Sequence, residues 1–344
     1  GVSSDTMRAA LKTGAETADI VDVPRPVPGR LEALVRVHAC AICASDLGGW
    51  ASPDIGDRDR GGWNASRPGL TGHELSGVIE AVGDGVTGTR IGESVWIDPI
   101  CGCEQCPACA AKRYSLCPDA GAICGGYAEY VTTPAHMALP IPHGVSMNVA
   151  SMISDMMGTP MGATRRASIE TGETVAVWGL GPVGLGLVQG ARIDGAATIV
   201  GVDLHANRRT LAIELGATHV VDPAAENPVA AVRALTDGRG ADVVLHSVAA
   251  AEASRQAFDA LRLEGRMVTV AGFPPAGGQM PKTVIGNWAC YHADFPEYVD
   301  LLTDGAFRLD PYVTHTYPMA DIVEAFHVRL HRPDESLKVI VEMV

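Results

Sequence analysis

No run of 18 apolar residues occurs in the 344-residue chain, so nothing in it reads as a membrane-spanning helix. No basic run occurs either. Lys and Arg number 26 against 40 Asp and Glu, a formal net charge of −14. That balance argues against nucleic acid and against anionic membrane surfaces as partners. Lysine is scarce: Lys12, Lys112, Lys282 and Lys338 are the only four. Internal repeats and low-complexity tracts are absent. Residues 1–7 are polar and carry no apolar stretch of the signal-peptide kind, and the native start reads as Met7. A cytoplasmic protein is therefore the expectation. With 47% hydrophobic and 19% charged residues the composition is globular, which excludes wholesale disorder. The length suits two domains or one large one.

Cysteine is what the chain does have, and unevenly. Of its nine cysteines, seven precede residue 120. Four follow the pattern Cys103-x2-Cys106-x2-Cys109-x7-Cys117. Thiols packed this tightly in a chain without secretory features suit a tetrahedral Zn²⁺ better than disulfides. A site with all four positions filled by protein is closed, hence structural. Cys101 competes for the first place, but Cys103 keeps the even spacing. Free cysteines on a loop are the plain alternative. Cys43 is a separate case. It follows a strand-like stretch, residues 33–37, and Gly72-His73-Glu74 comes thirty residues later. A thiolate, an imidazole and a carboxylate from separate loops form the ligand set of a catalytic zinc with one open position. Alone, such a trio is more often a buried thiol and an ordinary polar pair.

Residues 174–180 form a short apolar run fit for a buried parallel strand. Gly179-Leu180-Gly181-Pro182-Val183-Gly184 follows and leads into a helical stretch to about Ile193. This is the dinucleotide fingerprint in its strand–turn–helix context: backbone amides and a helix N-terminus hold a pyrophosphate, and Pro182 suits the first turn. A second strand, residues 198–203, ends in Asp203, 19 residues after Gly184. A carboxylate there binds ribose hydroxyls and repels a 2′-phosphate, which favours NAD over NADP. Arg208 and Arg209 stand close enough to contact a phosphate. Further helix–strand alternation through residues 208–222, 241–246 and 265–272 predicts an open parallel sheet wound on both faces. An edge strand near residues 282–286 is placed to pair across a two-fold axis.

These motifs, in this order, resemble the zinc-dependent medium-chain alcohol dehydrogenases, from about Met7 to Val344. The resemblance implies an α/β protein: a GroES-like β-barrel catalytic domain over residues 1–155 and 295–344, and a Rossmann doubly wound parallel sheet over 156–294. It implies two zinc ions per chain, one catalytic and one structural, together with NAD. Cys43 and His73 match the catalytic ligands. Glu74 matches a glutamate that binds the metal in some members and stays just outside in others. Residues 153–157 look like the secondary-alcohol branch, which makes Asp155 the third ligand; a helix-capping acid is the other reading. Asp46 matches an acid that orients His73 through its far ring nitrogen, Ser45 a hydroxyl that passes the substrate proton outward, and Lys338 a base that reaches the pyrophosphate. Relatives form tetramers or dimers.

The chain departs from the family at Gly48, where some members carry a relay histidine, and at Lys112, where a glycine is usual, so a left-handed residue is expected there. The charged stretch between Asp46 and His73, with Trp50, Trp63, Asp54, Asp57, Arg58, Asp59 and Arg60, reads as a cleft lining or as a solvated loop. The remaining histidines, His327 and His331 among them, read as ordinary polar or core residues. The expected activity is reversible oxidation of a secondary alcohol to a ketone by hydride transfer. The alternatives are a polyol or sugar-alcohol dehydrogenase, and a zinc- and nucleotide-binding protein without that activity.

Overall fold

The computed structural model describes residues 6–53, 72–88, 91–272 and 281–343. The chain divides into two units, Gly1–Ser154 with Leu309–Val344, and Asp155–Arg308.

The first unit is built on a seven-stranded sheet. Its main path runs Val313–Pro318, Lys338–Glu342, Glu32–Ala41, Glu74–Val82, Ser94–Ile97 and Ala138–Pro140, and Tyr130–Pro134 pairs with Glu32–Ala41 as well. Buried Val35, Val37, Leu75, Ile79, Val339 and Val341 form the centre of its core. Two pairings place the chemistry. Ala41 lies opposite Glu74 in one antiparallel ladder, and Ile340 lies opposite Ala41 in the other. Cys43, two residues past one strand, therefore meets His73, one residue before its neighbour. Lys338 opens the third strand beside them. A hairpin of Thr6–Gly14 and Thr17–Pro24 and two helices, Ala44–Ala51 and Ile322–His331, belong to the same unit.

The second unit holds a six-stranded sheet in the order His219–Val221, Thr198–Val202, Thr174–Trp178, Ala241–Ser247, Leu261–Ala271, Thr283–Gly286, with every pairing parallel. Val175, Ala176, Val177, Val243, Val244 and Leu245 are fully buried, as strands covered on both faces must be. Strand order reverses between Thr174–Trp178 and Ala241–Ser247. That switch point is where open parallel sheets take a ligand.

The unit boundaries differ from the expected ones. The helix Phe295–Thr303 stays with the second unit instead of opening the return to the first. Arg165, on the helix Gly158–Ala167, pairs with Glu297 there, and Arg166 donates to Tyr291 Oη at 3.0 Å. These ties hold the segment until Leu309.

Candidate metal centre and nucleotide loop

In the first unit the Cys43 thiol, a ring nitrogen of His73 and a carboxylate oxygen of Glu74 lie within 4.8 Å of one another. Cys43 caps the helix Ala44–Ala51, and its N–H donates to Asp46 Oδ2 at 3.0 Å. Asp46 Oδ1 stands 3.7 Å from His73 Nδ1, on the side that leaves Nε2 for an ion. Tyr127 Oη donates to Asp46 Oδ2 at 3.1 Å. Burial raises the Asp46 carboxyl above its ordinary value, while His73, the Cys43 N–H and Tyr127 pull it back. Burial also pushes the Tyr127 phenol well up, so it stays a donor. Tyr127 was not singled out from sequence. Its only local mark is the Gly125-Gly126 pair before it. Cys124, also unmarked, lies close enough to feel His73; burial raises its thiol.

Glu74 and Lys338 form one buried pair. Lys338 Nζ donates to Glu74 Oε1 at 2.5 Å, to Oε2 at 2.6 Å and to the Ile42 carbonyl at 3.2 Å. The side chains are 0% and 1% exposed. An ammonium has three donors, and all three are engaged here. Lys338, expected to reach a pyrophosphate, is engaged here by Glu74 and Ile42. Its charge balances Glu74, whose oxygens both face it. A buried carboxylate costs several kcal/mol of desolvation unless a geometry this close compensates it.

The four-cysteine lobe assembles as its spacing predicts. One donor atom each from Cys103, Cys106, Cys109 and Cys117 falls within 4.8 Å of the others. Cys106 and Cys109 sulfurs are 3.5 Å apart, and Cys103 N–H donates to Cys117 Sγ at 3.3 Å. Cys101 turns away, its thiol directed at the Gly121 carbonyl. Burial pushes the Cys109 thiol up to about 12. The Cys109 N–H hydrogen bond is the main cause that brings Cys106 down to about 7. Lys112 adopts φ +52°, the left-handed conformation expected of it.

In the second unit the three glycines divide the work of the loop after Thr174–Trp178. Gly179 has φ +86°, which makes the tight turn. A Cβ on Gly184 would lie 1.7 Å from the Gly179 carbonyl, so only glycine lets helix and strand close up. A Cβ on Gly181 would meet nothing within 4 Å. That leaves open space at the N-terminus of the helix Pro182–Ile193, which Gly181 caps with Pro182 and Val183 following. The cradle fits a pyrophosphate. Asp203 Oδ2 accepts from Leu180 N–H at 2.7 Å and Oδ1 from His205 N–H at 2.8 Å. A carboxylate has about four acceptor sites, so about two remain for ribose hydroxyls. Arg208 stands 3.9 Å from Asp203, while Arg209 is taken up by Asp222 at 3.0 Å and by the carbonyls of Asp203 and Leu204.

Ser45 and Gly48 are exposed on the helix after Cys43. Trp50 does not line a cleft; it is buried with its ring 4.6 Å from Phe326. Trp63, Asp54, Asp57, Arg58, Asp59 and Arg60 lie outside the described residues. Asp155 opens the second unit, on a π-helical turn spanning Ile153–Met157, and accepts from Thr159 Oγ1 at 2.7 Å. Among the described residues no helix is long and apolar enough to cross a membrane.

Residues 29–143 match the alcohol dehydrogenase GroES-like domain, and residues 182–304 match the zinc-binding dehydrogenase family. A probable zinc-binding alcohol dehydrogenase of Mycobacterium tuberculosis is 32% identical, the match covering 96% of this chain and 88% of that protein. A sorbitol dehydrogenase of Bacillus subtilis is 29% identical, with 97% of each covered. A zinc-binding dehydrogenase structure from Sinorhizobium meliloti, described as bound to NADP, superposes with TM-score 0.83 at 26% identity, covering 98% of this chain and 99% of that one. Full-length similarity of this kind, with both domain profiles in the expected order, assigns the chain to the zinc-dependent medium-chain dehydrogenase family.

Proposed function

We propose that this protein is a zinc- and NAD-dependent dehydrogenase that reversibly oxidises a secondary hydroxyl to a ketone, on a simple alcohol or on a polyol. The observation that carries the reading is the register that brings Cys43, His73 and Glu74 together with Asp46 behind the imidazole. A soft thiolate and a neutral imidazole suit Zn²⁺. Cys43 and His73 would hold the catalytic ion, with Asp155, directly after Ser154 in the chain, as third ligand. Glu74, charge-balanced by Lys338, stays in reserve next to it. Cys103, Cys106, Cys109 and Cys117 would hold the structural ion. Bound zinc supplies the Lewis acidity that makes an alkoxide accessible near neutral pH. The nicotinamide supplies the hydride acceptor.

The chain's own residues position and move protons. Asp46 fixes the His73 ring and offsets charge on it. Ser45, exposed and directly before Asp46 in the helix, takes the hydroxyl proton at Oγ and passes it to solvent, since Gly48 provides no imidazole. Gly181 to Gly184 present amides to the pyrophosphate, and Asp203 accepts from the ribose. Arg208 stands near the same place. NAD is favoured because Arg209 already satisfies Asp222 and two carbonyls, leaving Asp203 the dominant charge for a 2′-phosphate to meet. The NADP-bound relative makes this preference a point to test. The sorbitol dehydrogenase relative favours the polyol reading of the substrate. Self-association, as a dimer or tetramer, would use the sheet edge Thr283–Gly286, which carries Val284 at 41% exposure and is followed by Trp288 at 55%.

The test is cofactor reduction by zinc-loaded protein, with NAD⁺ or NADP⁺ against secondary alcohols, diols, polyols and sugars, and Cys43→Ala as control. NAD⁺-linked turnover that the control abolishes is the expected result. Turnover with NADP⁺ alone would overturn the Asp203 argument. Turnover that survives Cys43→Ala would overturn the zinc assignment.

A further inference from the structure

A third group of metal donors lies in the first unit and shares no residue with the two zinc sets. It joins His327 and His331, both on the helix Ile322–His331, to Glu16 in the two-residue turn between Gly14 and Thr17. One donor atom from each falls within 4.8 Å of the others. His331 Nε2 is 2.8 Å from Glu16 Oε2, and the two imidazole centroids are 4.8 Å apart.

The positions are fixed by structure that has other reasons to exist. Residues four apart on a helix stand on one face, one turn above the other, so the helix itself sets the two imidazoles side by side. That helix is anchored through Phe326, fully buried against Trp50. Glu16 has φ +53°, an uncommon conformation for a residue with a side chain, and its N–H donates to the Trp50 carbonyl at 2.9 Å. Trp50 thus holds both halves of the group in place. The Glu16 and His331 side chains are 38% and 44% exposed, open to a hydrated ion.

A surface ion pair between His331 and Glu16 would contribute only about 0–1 kcal/mol and would give His327 no part. Two imidazoles at i and i+4 with a carboxylate opposite them are instead a chelating set for a divalent transition metal. We propose that Glu16, His327 and His331 form a third metal site, for an imidazole-preferring ion of the Zn²⁺ or Ni²⁺ kind, with water completing the coordination. Three protein ligands from two elements make it a clip that ties the hairpin turn to the helix Ile322–His331. Metal bound there stabilises the folded first unit by mass action. The site does not depend on the dehydrogenase reading, because none of its residues enters that chemistry.

Calorimetric titration of untagged, zinc-loaded full-length protein with Ni²⁺ tests it, with zinc content and dehydrogenase activity measured on the same samples. Wild type is expected to take up one Ni²⁺ per chain beyond its zinc. His327→Gln and His331→Gln should each weaken that binding by about tenfold or more, and Glu16→Gln by several-fold, with zinc content and activity unchanged. A His219→Gln variant, altering an exposed histidine elsewhere, should bind as wild type does. No Ni²⁺ uptake by wild type, or equal uptake by the His327 and His331 variants, would overturn the site. Loss of activity without loss of Ni²⁺ uptake would bear on the dehydrogenase reading alone.

Discussion

Lys338 shows what a single residue does once its partner is known. Its ammonium donates to both Glu74 oxygens, at 2.5 and 2.6 Å, with 1% exposure. Removing one member of such a pair leaves an uncompensated buried charge, which costs about 3–5 kcal/mol, whereas replacing both is often close to neutral. Lys338→Met should therefore lower unfolding free energy by about 3 kcal/mol, and the double variant Lys338→Met/Glu74→Gln should recover most of it. Urea unfolding of the three proteins decides. A single variant as stable as wild type would show that the pair carries no such burden. Nothing local in the sequence announces this pairing. Lys338 and Glu74 are 264 residues apart, and only the ladder through Ala41 brings them together. Cys43 and His73 were legible because their residue types are restrictive. Tyr127 and Lys338 were not, because a buried phenol and a buried ammonium take their meaning from partners the sequence does not place beside them.

Elements differ in how much of themselves is local. The loop from Gly179 to Gly184 was readable because strand, turn and helix are consecutive, and Gly179 and Gly184 answer contacts within the same few residues or with residues 247–248, while Gly181 leaves open space. The four-cysteine lobe was readable for the same reason, down to the exclusion of Cys101. By contrast the unit to which the helix Phe295–Thr303 belongs is not local information, since Arg165 and Glu297, which tie it, are 132 residues apart. The lobe has little regular structure of its own: a four-residue helix, a single turn at Tyr114–Leu116 and a pair of two-residue strands. Such a segment would depend on a bound ion for order. Cys109→Ser should thus cost one zinc per chain and make residues 102–118 the first site of limited proteolysis, while the glycine loop still binds dinucleotide. Retention of full zinc content with unchanged proteolysis would count against a structural ion in the lobe.

At the scale of the whole molecule, acid acts in opposing directions. A net charge of −14 means that protonating carboxylates relieves general repulsion as pH falls. Asp194, raised by burial in spite of its hydrogen bond with Thr164, adds to that trend: stability linked to it is present in acid and lost as pH rises through its folded value. Asp242 runs the other way. Burial would raise it, but the Thr174 N–H at 2.8 Å and Arg262 Nε at 2.6 Å outweigh burial and hold it below its ordinary value. A carboxyl depressed in the folded state contributes its full stability above its unfolded value, and that contribution disappears as pH falls through the folded one. It ties three neighbouring strands of the second unit, Thr174–Trp178, Ala241–Ser247 and Leu261–Ala271, at one corner. Because repulsion, Asp194 and protonation of the metal ligands all move at once, the stability of wild type alone does not separate them. The difference between wild type and Asp242→Asn does, since terms common to both cancel for distant sites. That difference should be about 2 kcal/mol at pH 7, the usual size for hydrogen bonds to a charged group, and should shrink as pH falls below about 4. Urea unfolding in half-unit steps from pH 7 to pH 3.5 measures it. A gap that stays constant, or widens in acid, would mean that Asp242 is not held ionised by Thr174 and Arg262.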